Sequence, residues 1–265
     1  MLAPQTGNAR DTGAALIAEF QIALARVTSE RRAKMLLALA DLFVAIAGRI
    51  GEAEIAVFDQ LLLDQLPITD HTTVVALSKK LAVLPNAPPL IVDKFARDDS
   101  AAIAAPVLSS SPRLHTADLV RYAAMHGQDH MHAICARSEI PPALSAALIM
   151  RGGRSVIDRL AVTLGASFSV ESFAYLLENA TADERGRIKV HQRAAIEPNP
   201  GRGSVPCTVF NIAPHGAFMK PDGETSLPER FALVLPAVES LRIACRLVWK
   251  SGLGLGVAFE SAPFA

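Results

Sequence analysis

The sequence carries no excess charge of either sign. Twenty-six Lys and Arg balance twenty-six Asp and Glu. The balance holds locally: residues 1–180 have 16 basic against 18 acidic side chains, and residues 181–265 have 10 against 8. Bulk electrostatics therefore gives no reason to expect a nucleic-acid binder. Cysteine is scarce. Cys135, Cys207 and Cys245 are odd in number, widely spaced and without a CxxC pair. That argues for reduced thiols in a cytoplasmic protein and against a disulfide framework or structural zinc site. Long apolar runs are missing too. The longest, Met35 to Gly48, is broken by Asp41 and too short to span a bilayer. Met1 to Gly13 lacks an apolar stretch behind positive charge, so no secretory signal is expected. Ser109-Ser110-Ser111 has no Gly-x-Ser-x-Gly elbow around it. Gly201-Arg202-Gly203 is too short for a phosphate loop and fits a turn between strands. With no catalytic constellation in view, the expectation is a protein that binds rather than an enzyme.

What is present is apolar periodicity. Hydrophobic residues make up 51% of the chain, enough for a sizeable core. From about Asp11 to Thr181, Ala, Leu and Ile recur at three- and four-residue spacing, which predicts helix after helix. Leu36, Leu37, Ala40, Leu42, Phe43, Ile46 and Ala47 form one stripe; Ile55, Phe58, Leu61, Leu62 and Leu66 form another. Pro and small polar residues punctuate them at Leu84–Pro89, Ser109–Pro112, Ile140–Pro142 and Gly152-Gly153. Turns opening at Leu114, Ile140 and Phe168 are separated by 26 and 28 residues. A unit of that length holds two short antiparallel helices, which must stack on neighbours to bury their faces. Ser169 and Thr116 are expected N-caps.

Several segments carry a resemblance over most of residues 15–180: Ser29-Glu30-Arg31-Arg32, Leu84-Pro85-Asn86-Ala87-Pro88, Ala104-Ala105-Pro106-Val107-Leu108, Ser111-Pro112-Arg113-Leu114 and Gly127-Gln128-Asp129-His130. This region resembles an uncharacterised bacterial family of HEAT-like repeat proteins. The resemblance implies a helical solenoid and little else; that its surface binds a protein partner is a separate expectation.

The texture changes after Thr181. Ala182–Arg187 is charged, contains Gly186 and suits a linker. Beyond it apolar and polar residues alternate. Leu241, Ile243, Cys245, Leu247 and Trp249 are expected on one strand face, with Arg242, Ala244, Arg246, Val248 and Lys250 on the other. Ser251-Gly252 turns the chain into a second strand carrying Leu253, Leu255, Val257 and Phe259. Further strands are expected at 194–197, 205–211, 217–219 and 231–235. Six short strands predict a small barrel. The expected fold is thus α+β in two domains: a HEAT-like all-α solenoid over 1–180, a linker over 181–188 and a six-stranded barrel over 189–265.

Asn211-Ile212-Ala213-Pro214-His215-Gly216 lies between two alternating runs, with Arg185, Lys189 and Arg193 ahead of the first. This segment resembles a PilZ domain, the bacterial receptor module for cyclic di-GMP. That family places an Arg-x-x-x-Arg element just before its first strand, and Asp/Asn-x-Ser-x-x-Gly at the end of its second. Here Asn211 and Gly216 match the second element, and Ala213 stands where the Ser would be. The first element has two registers, Arg185 to Lys189 or Lys189 to Arg193, each with one Arg replaced by Lys189. The resemblance implies cyclic di-GMP as ligand at Arg185, Lys189, Arg193, Asn211, Ala213 and Gly216. Arg would grip a phosphate or a guanine edge with its planar fork, Asn211 would offer an amide, and Gly216 would allow close backbone approach. Lys189 lacks the fork and Ala213 the hydroxyl, which motivates a second reading: an interaction scaffold that binds no nucleotide. On the bland alternative, the cations are a solvated lead-in and Asn211–Gly216 is a hairpin turn. His126, His130 and His132 have metal-ligand types, with His126 and His130 at i and i+4. Gly127 between them at an expected helix start, His132 pointing away and the lack of a second ligand group at fixed spacing favour the polar end of a repeat helix, and no metal is expected.

Overall fold

The helices form where periodicity and caps coincide. A computed structural model of the protein describes residues 19, 22–24, 26–198, 203–223 and 226–261. Met1–Gly13 and Gly201-Arg202 lie outside the described residues. Cα packing divides the chain into two units, Met1–His115 and Thr116–Ala265. In the first unit α1 (Ser29–Ile46), α2 (Glu52–Gln65), α3 (His71–Leu81), α4 (Pro89–Ala96) and α5 (Ala101–Ser110) follow one another. Thr28 caps α1, its hydroxyl accepting the Arg31 N–H, and Asp70 caps α3 through the Thr73 N–H. Helix α4 starts with Pro89 and has no cap of its own. Asp59 of α2 caps it instead, its two carboxylate oxygens accepting the Leu90 and Ile91 N–H groups, each at 2.8 Å. Burial pushes the Asp59 carboxyl above its ordinary range, and the two N–H bonds oppose that rise. Leu36, Ala40, Phe43, Leu62, Leu77, Leu81 and Phe95 form the core of this unit.

The second unit opens with α6 (Thr116–Met125), α7 (Gln128–Ile134), α8 (Pro142–Arg151), α9 (Arg154–Ala161) and α10 (Val170–Asn179). The repeat is clear in the starting residues. Helices α4, α6, α8 and α10 begin at 89, 116, 142 and 170, steps of 27, 26 and 28; α5, α7 and α9 begin at 101, 128 and 154, steps of 27 and 26. In this unit α6 packs on α8, α8 on α10, and α7 on α9. Next-but-one packing of that kind is how helical repeats bury faces that no single repeat can bury. Ser169 caps α10 as expected, its Oγ 3.1 Å from the Ser172 N–H. No helix among the described residues is long and apolar enough to cross a membrane.

After α10 the chain forms β1 (Ile188–Glu197), β2 (Val205–Ala213), β3 (Gly216–Pro221), β4 (Arg230–Leu235), β5 (Leu241–Ser251) and β6 (Gly254–Phe259). All neighbours are antiparallel, and the order β1-β2-β3-β6-β5-β4 closes through β4 and β1. The architecture is therefore α+β, with helical repeats followed by a closed six-stranded barrel. Val190, Ala194, Ile196, Cys207, Val209, Ile212, Met219, Leu233, Ile243, Cys245 and Leu255 fill the barrel. The thiols of Cys207 and Cys245 are both pushed up to about 12 by burial.

Three details differ from the alternation expected. Strand β1 starts at Ile188 rather than Ala194, so Lys189 and Arg193 are strand residues. Their alternation with buried Val190, Gln192 and Ala194 puts both on the outer face. Strand β5 carries a bulge between Leu247 and Trp249, and an extra residue there moves everything beyond it to the opposite face. Trp249 is consequently outside, 47% exposed, not in the core with Ile243 and Cys245. Leu253 sits in the β5–β6 turn, 80% exposed, because β6 begins at Gly254.

Candidate ligand site on the outer face of the barrel

Two bulges and two glycines build one surface. The β2 bulge between Val209 and Asn211 puts successive residues, Phe210 and Asn211, outside the core. Across the sheet, Gly256 of β6 is the register partner of both Phe218 on β3 and Trp249 on β5. Lacking a side chain, Gly256 lets the two rings meet above it, their centroids 5.7 Å apart and 20° from parallel. A Cβ on Gly256 would lie 2.1 Å from Trp249 Nε1, and one on Gly254 would lie 2.7 Å from Phe218 Cε2. The row continues through Phe210, 6.1 Å from Phe218, to His191 on β1, 5.5 Å from Phe210. A band of rings thus crosses the outer face from β1 to β5. The alternating glycines of the last hairpin serve sheet packing at Gly254 and Gly256, while Gly252 has open space around it.

Beside this band lies a small cleft of about 220 Å³, lined among others by Arg187, Asn211, Ala213, Gly216, Phe218, Val248, Trp249 and Gly256. Ala213 and Gly216 are register partners that close the β2–β3 hairpin around Pro214-His215. Gly216 does not need a left-handed backbone. Its Cβ position is 2.2 Å from the Val257 carbonyl oxygen, so β3 and β6 can pair here only through glycine. Asn211 pairs in register with Lys189. The cation of the cleft is Arg187. Its Nε and Nη2 donate to Asp183 Oδ2 at 2.8 and 2.7 Å, while Asp183 Oδ1 accepts the N–H groups of Arg185 and Arg187, both at 2.9 Å. The tight loop requires Gly186 at φ +69°. Hydrogen bonds from the Arg187 guanidinium and then its N–H hold the Asp183 carboxyl down at about 2, with the Arg185 N–H adding to them.

The six residues nominated from the sequence are therefore divided. Asn211, Ala213 and Gly216 line one cleft. Lys189 stands next to Asn211 on β1 without lining it. Arg185 is an exposed turn residue. Arg193 faces a separate, open groove of about 1260 Å³ with Lys220, Lys250 and Gly252, where its Nη1 pairs with Asp222 at 3.1 Å. Arg187, Phe218, Trp249 and Gly256 were not nominated. Two signals in the sequence could have found them: Asp183 four residues ahead of Arg187 across a glycine, and the only tryptophan of the chain beside a strand with glycine at alternate positions. The histidines behave differently from a metal set. His126 lies beyond the end of α6 and His130 in α7, their rings stacked at 4.2 Å and 6°. His132 Nε2 lies 3.1 Å from Ser155 Oγ. Among the described residues no group of three or more His, Cys, Asp or Glu is arranged to hold a metal ion.

A family described as an uncharacterised protein conserved in bacteria (DUF2336) matches residues 103–202. The match runs from α5 through α10 and across β1. No curated protein matches the chain.

Proposed function

We propose that this chain is a non-enzymatic, cytoplasmic signalling adaptor of PilZ type. Its barrel binds a cyclic dinucleotide, with cyclic di-GMP the first candidate, and its helical repeats bind a protein partner. One observation carries the reading: Asn211, Ala213 and Gly216 converge on a cleft that also holds an Arg fork and a flat aromatic wall. A base stacks on Trp249 and Phe218, the Asn211 amide meets its polar edge, and Arg187 meets a phosphate. Arg187 spends two donors on Asp183 and keeps the rest of its guanidinium for an anion. The three buried thiols, none in a disulfide, suit a reducing compartment.

A second reading, the scaffold that binds no nucleotide, draws on two facts. The cleft volume of about 220 Å³ lies below the ~300–1,000 Å³ of most ligand pockets. Arg187 and Arg193 are also both already paired with carboxylates. One titration separates the readings. Full-length protein is titrated with cyclic di-GMP while heat and the emission of the single tryptophan are recorded. The receptor reading expects quenching with saturable heat, weakened roughly 10- to 100-fold by Arg187→Ala, as loss of a charge-assisted hydrogen bond implies, and unchanged in Arg193→Ala. Absence of heat and quenching at high micromolar ligand leaves the scaffold.

A further inference from the structure

Helical repeats have to end, and an open end leaves an apolar face bare. In the second unit α6 is followed by its partner α7, and α8 by α9, but α10 has no second helix. After Asn179 the chain passes through Thr181–Arg187 into β1, and α9, the last helix of its row, packs on β1. We propose that the barrel is the terminal cap of the helical stack, with β1 in the place of the missing helix. On this inference α9, α10 and the barrel unfold and respond as one body rather than as two domains on a linker. It goes beyond the nucleotide reading and holds whether or not the barrel binds a ligand.

Three joints make the seam. The first is Asp158 on α9, whose two carboxylate oxygens accept the N–H and the Oγ–H of Thr181, both at 2.6 Å. It clamps the segment leading to β1 at its outset. The second is Phe168, just ahead of α10. Its N–H donates to the Ala237 carbonyl at 2.6 Å, and it bridges Val238 in parallel. Phe168 and Val238 are both fully buried, and the Phe168 ring packs on Phe173 of α10 at 5.3 Å. The third is Glu239, whose Oε2 accepts the Val170 N–H in the first turn of α10 at 3.3 Å. Glu239 and Ser240 have φ of +49° and +56°, a backbone that residues other than glycine keep only where the surroundings hold it. Here the surroundings include α10. An event on β1 or on the β4–β5 turn is thereby felt by α9 and α10 through these hydrogen bonds and the packing around Phe168.

Hydrogen exchange of the full chain under native conditions tests this. Leu233→Ala removes a fully buried side chain of β4. The cap predicts that α9 and α10 amides lose protection by the same factor as the barrel strands, on the order of 100-fold for a core cavity. Phe173→Ala, in the opposite direction, lowers protection in β1 and β4. Barrel amides that exchange faster while α9 and α10 keep wild-type protection overturn the proposal. Should Leu233→Ala unfold the barrel outright, unprotected α9 and α10 support the cap and protected ones refute it. The milder Ile196→Val reads the same comparison with the barrel intact.

Discussion

Replacing Gly256 with alanine tests the construction of the outer face. The added methyl falls 2.1 Å from Trp249 Nε1 and 2.4 Å from its Cε2, so the indole must leave. It can do so, because it is 47% exposed and the atoms the methyl meets all belong to a side chain. The cost follows from what the ring gives up. A packed tryptophan buries about 200 Å²; with roughly half of that covered here, ~25 cal/mol per Å² makes the contact worth about 2.5 kcal/mol at most. Losing the Phe218 stack adds about 1 kcal/mol. Alanine in a strand recovers about 0.5–1 kcal/mol over glycine, and the displaced ring re-covers some surface. The net loss is about 1–2 kcal/mol, which for a unit this size lowers Tm by roughly 2–8 °C. Trp249 is the only tryptophan, so its emission reports the event directly: a red shift with greater access to a soluble quencher. Unchanged emission and quenching, with Tm equal or higher, would show that the indole does not rest on Gly256. The aromatic wall of the cleft would then be wrong.

Gly216→Ala is expected to be worse than Gly256→Ala, because its methyl meets the Val257 carbonyl oxygen at 2.2 Å and a strand backbone cannot swing aside. Denaturant unfolding should show a loss of about 3 kcal/mol, and a loss smaller than that of Gly256→Ala contradicts the account. Asp183 has a folded pKa of about 2 against an ordinary 3.8; being exposed, its pairing adds only a small, solvent-screened stabilisation, present above the ordinary value and lost as pH falls towards 2. NMR titration should find that value, and Arg187→Ala should return it towards 3.8; an unmoved carboxyl refutes the pairing. Gln192 is buried inside the barrel, and neither amide atom has a hydrogen-bond partner. Gln192→Met should therefore stabilise by about 1–2 kcal/mol in the same unfolding assay, and a destabilised variant would point to a polar partner for the amide.

The sequence made the helical repeat and all six strands legible, because both rest on local periodicity. Steps of 26 and 28 residues between turns reappear in the starts of α6, α8 and α10. What local periodicity cannot register is one extra residue in a strand. The β5 bulge turns Trp249 outwards and the β2 bulge brings Phe210 out beside Asn211, so alternation assigns Trp249 to the inner face and passes over Phe210, Phe218 and His191. The cations failed for another reason. Arg185, Arg187, Lys189 and Arg193 are close in sequence, and only the Asp183 loop with Gly186 at positive φ decides which of them reaches the cleft. The choice of Arg187 depends on a turn geometry that no spacing of basic residues encodes.

Gly216 and Arg187 carry different weight as signs of a ligand. Gly216 matches the receptor pattern, but the Val257 carbonyl oxygen demands glycine there whether or not anything binds. Its presence cannot tell a receptor from a barrel that has lost its ligand. Ala213 is no better, since it closes the hairpin opposite Gly216 and alanine satisfies that place. Arg187 is another matter. It is outside the barrel core, and its one observed partnership, with Asp183, is of the exposed kind that contributes little to stability. A guanidinium held by that pairing at the lip of an aromatic-walled cleft has little to do for the fold. Binding lost in Arg187→Ala with Tm unchanged would therefore identify a ligand residue, which loss of binding in Gly216→Ala could never do.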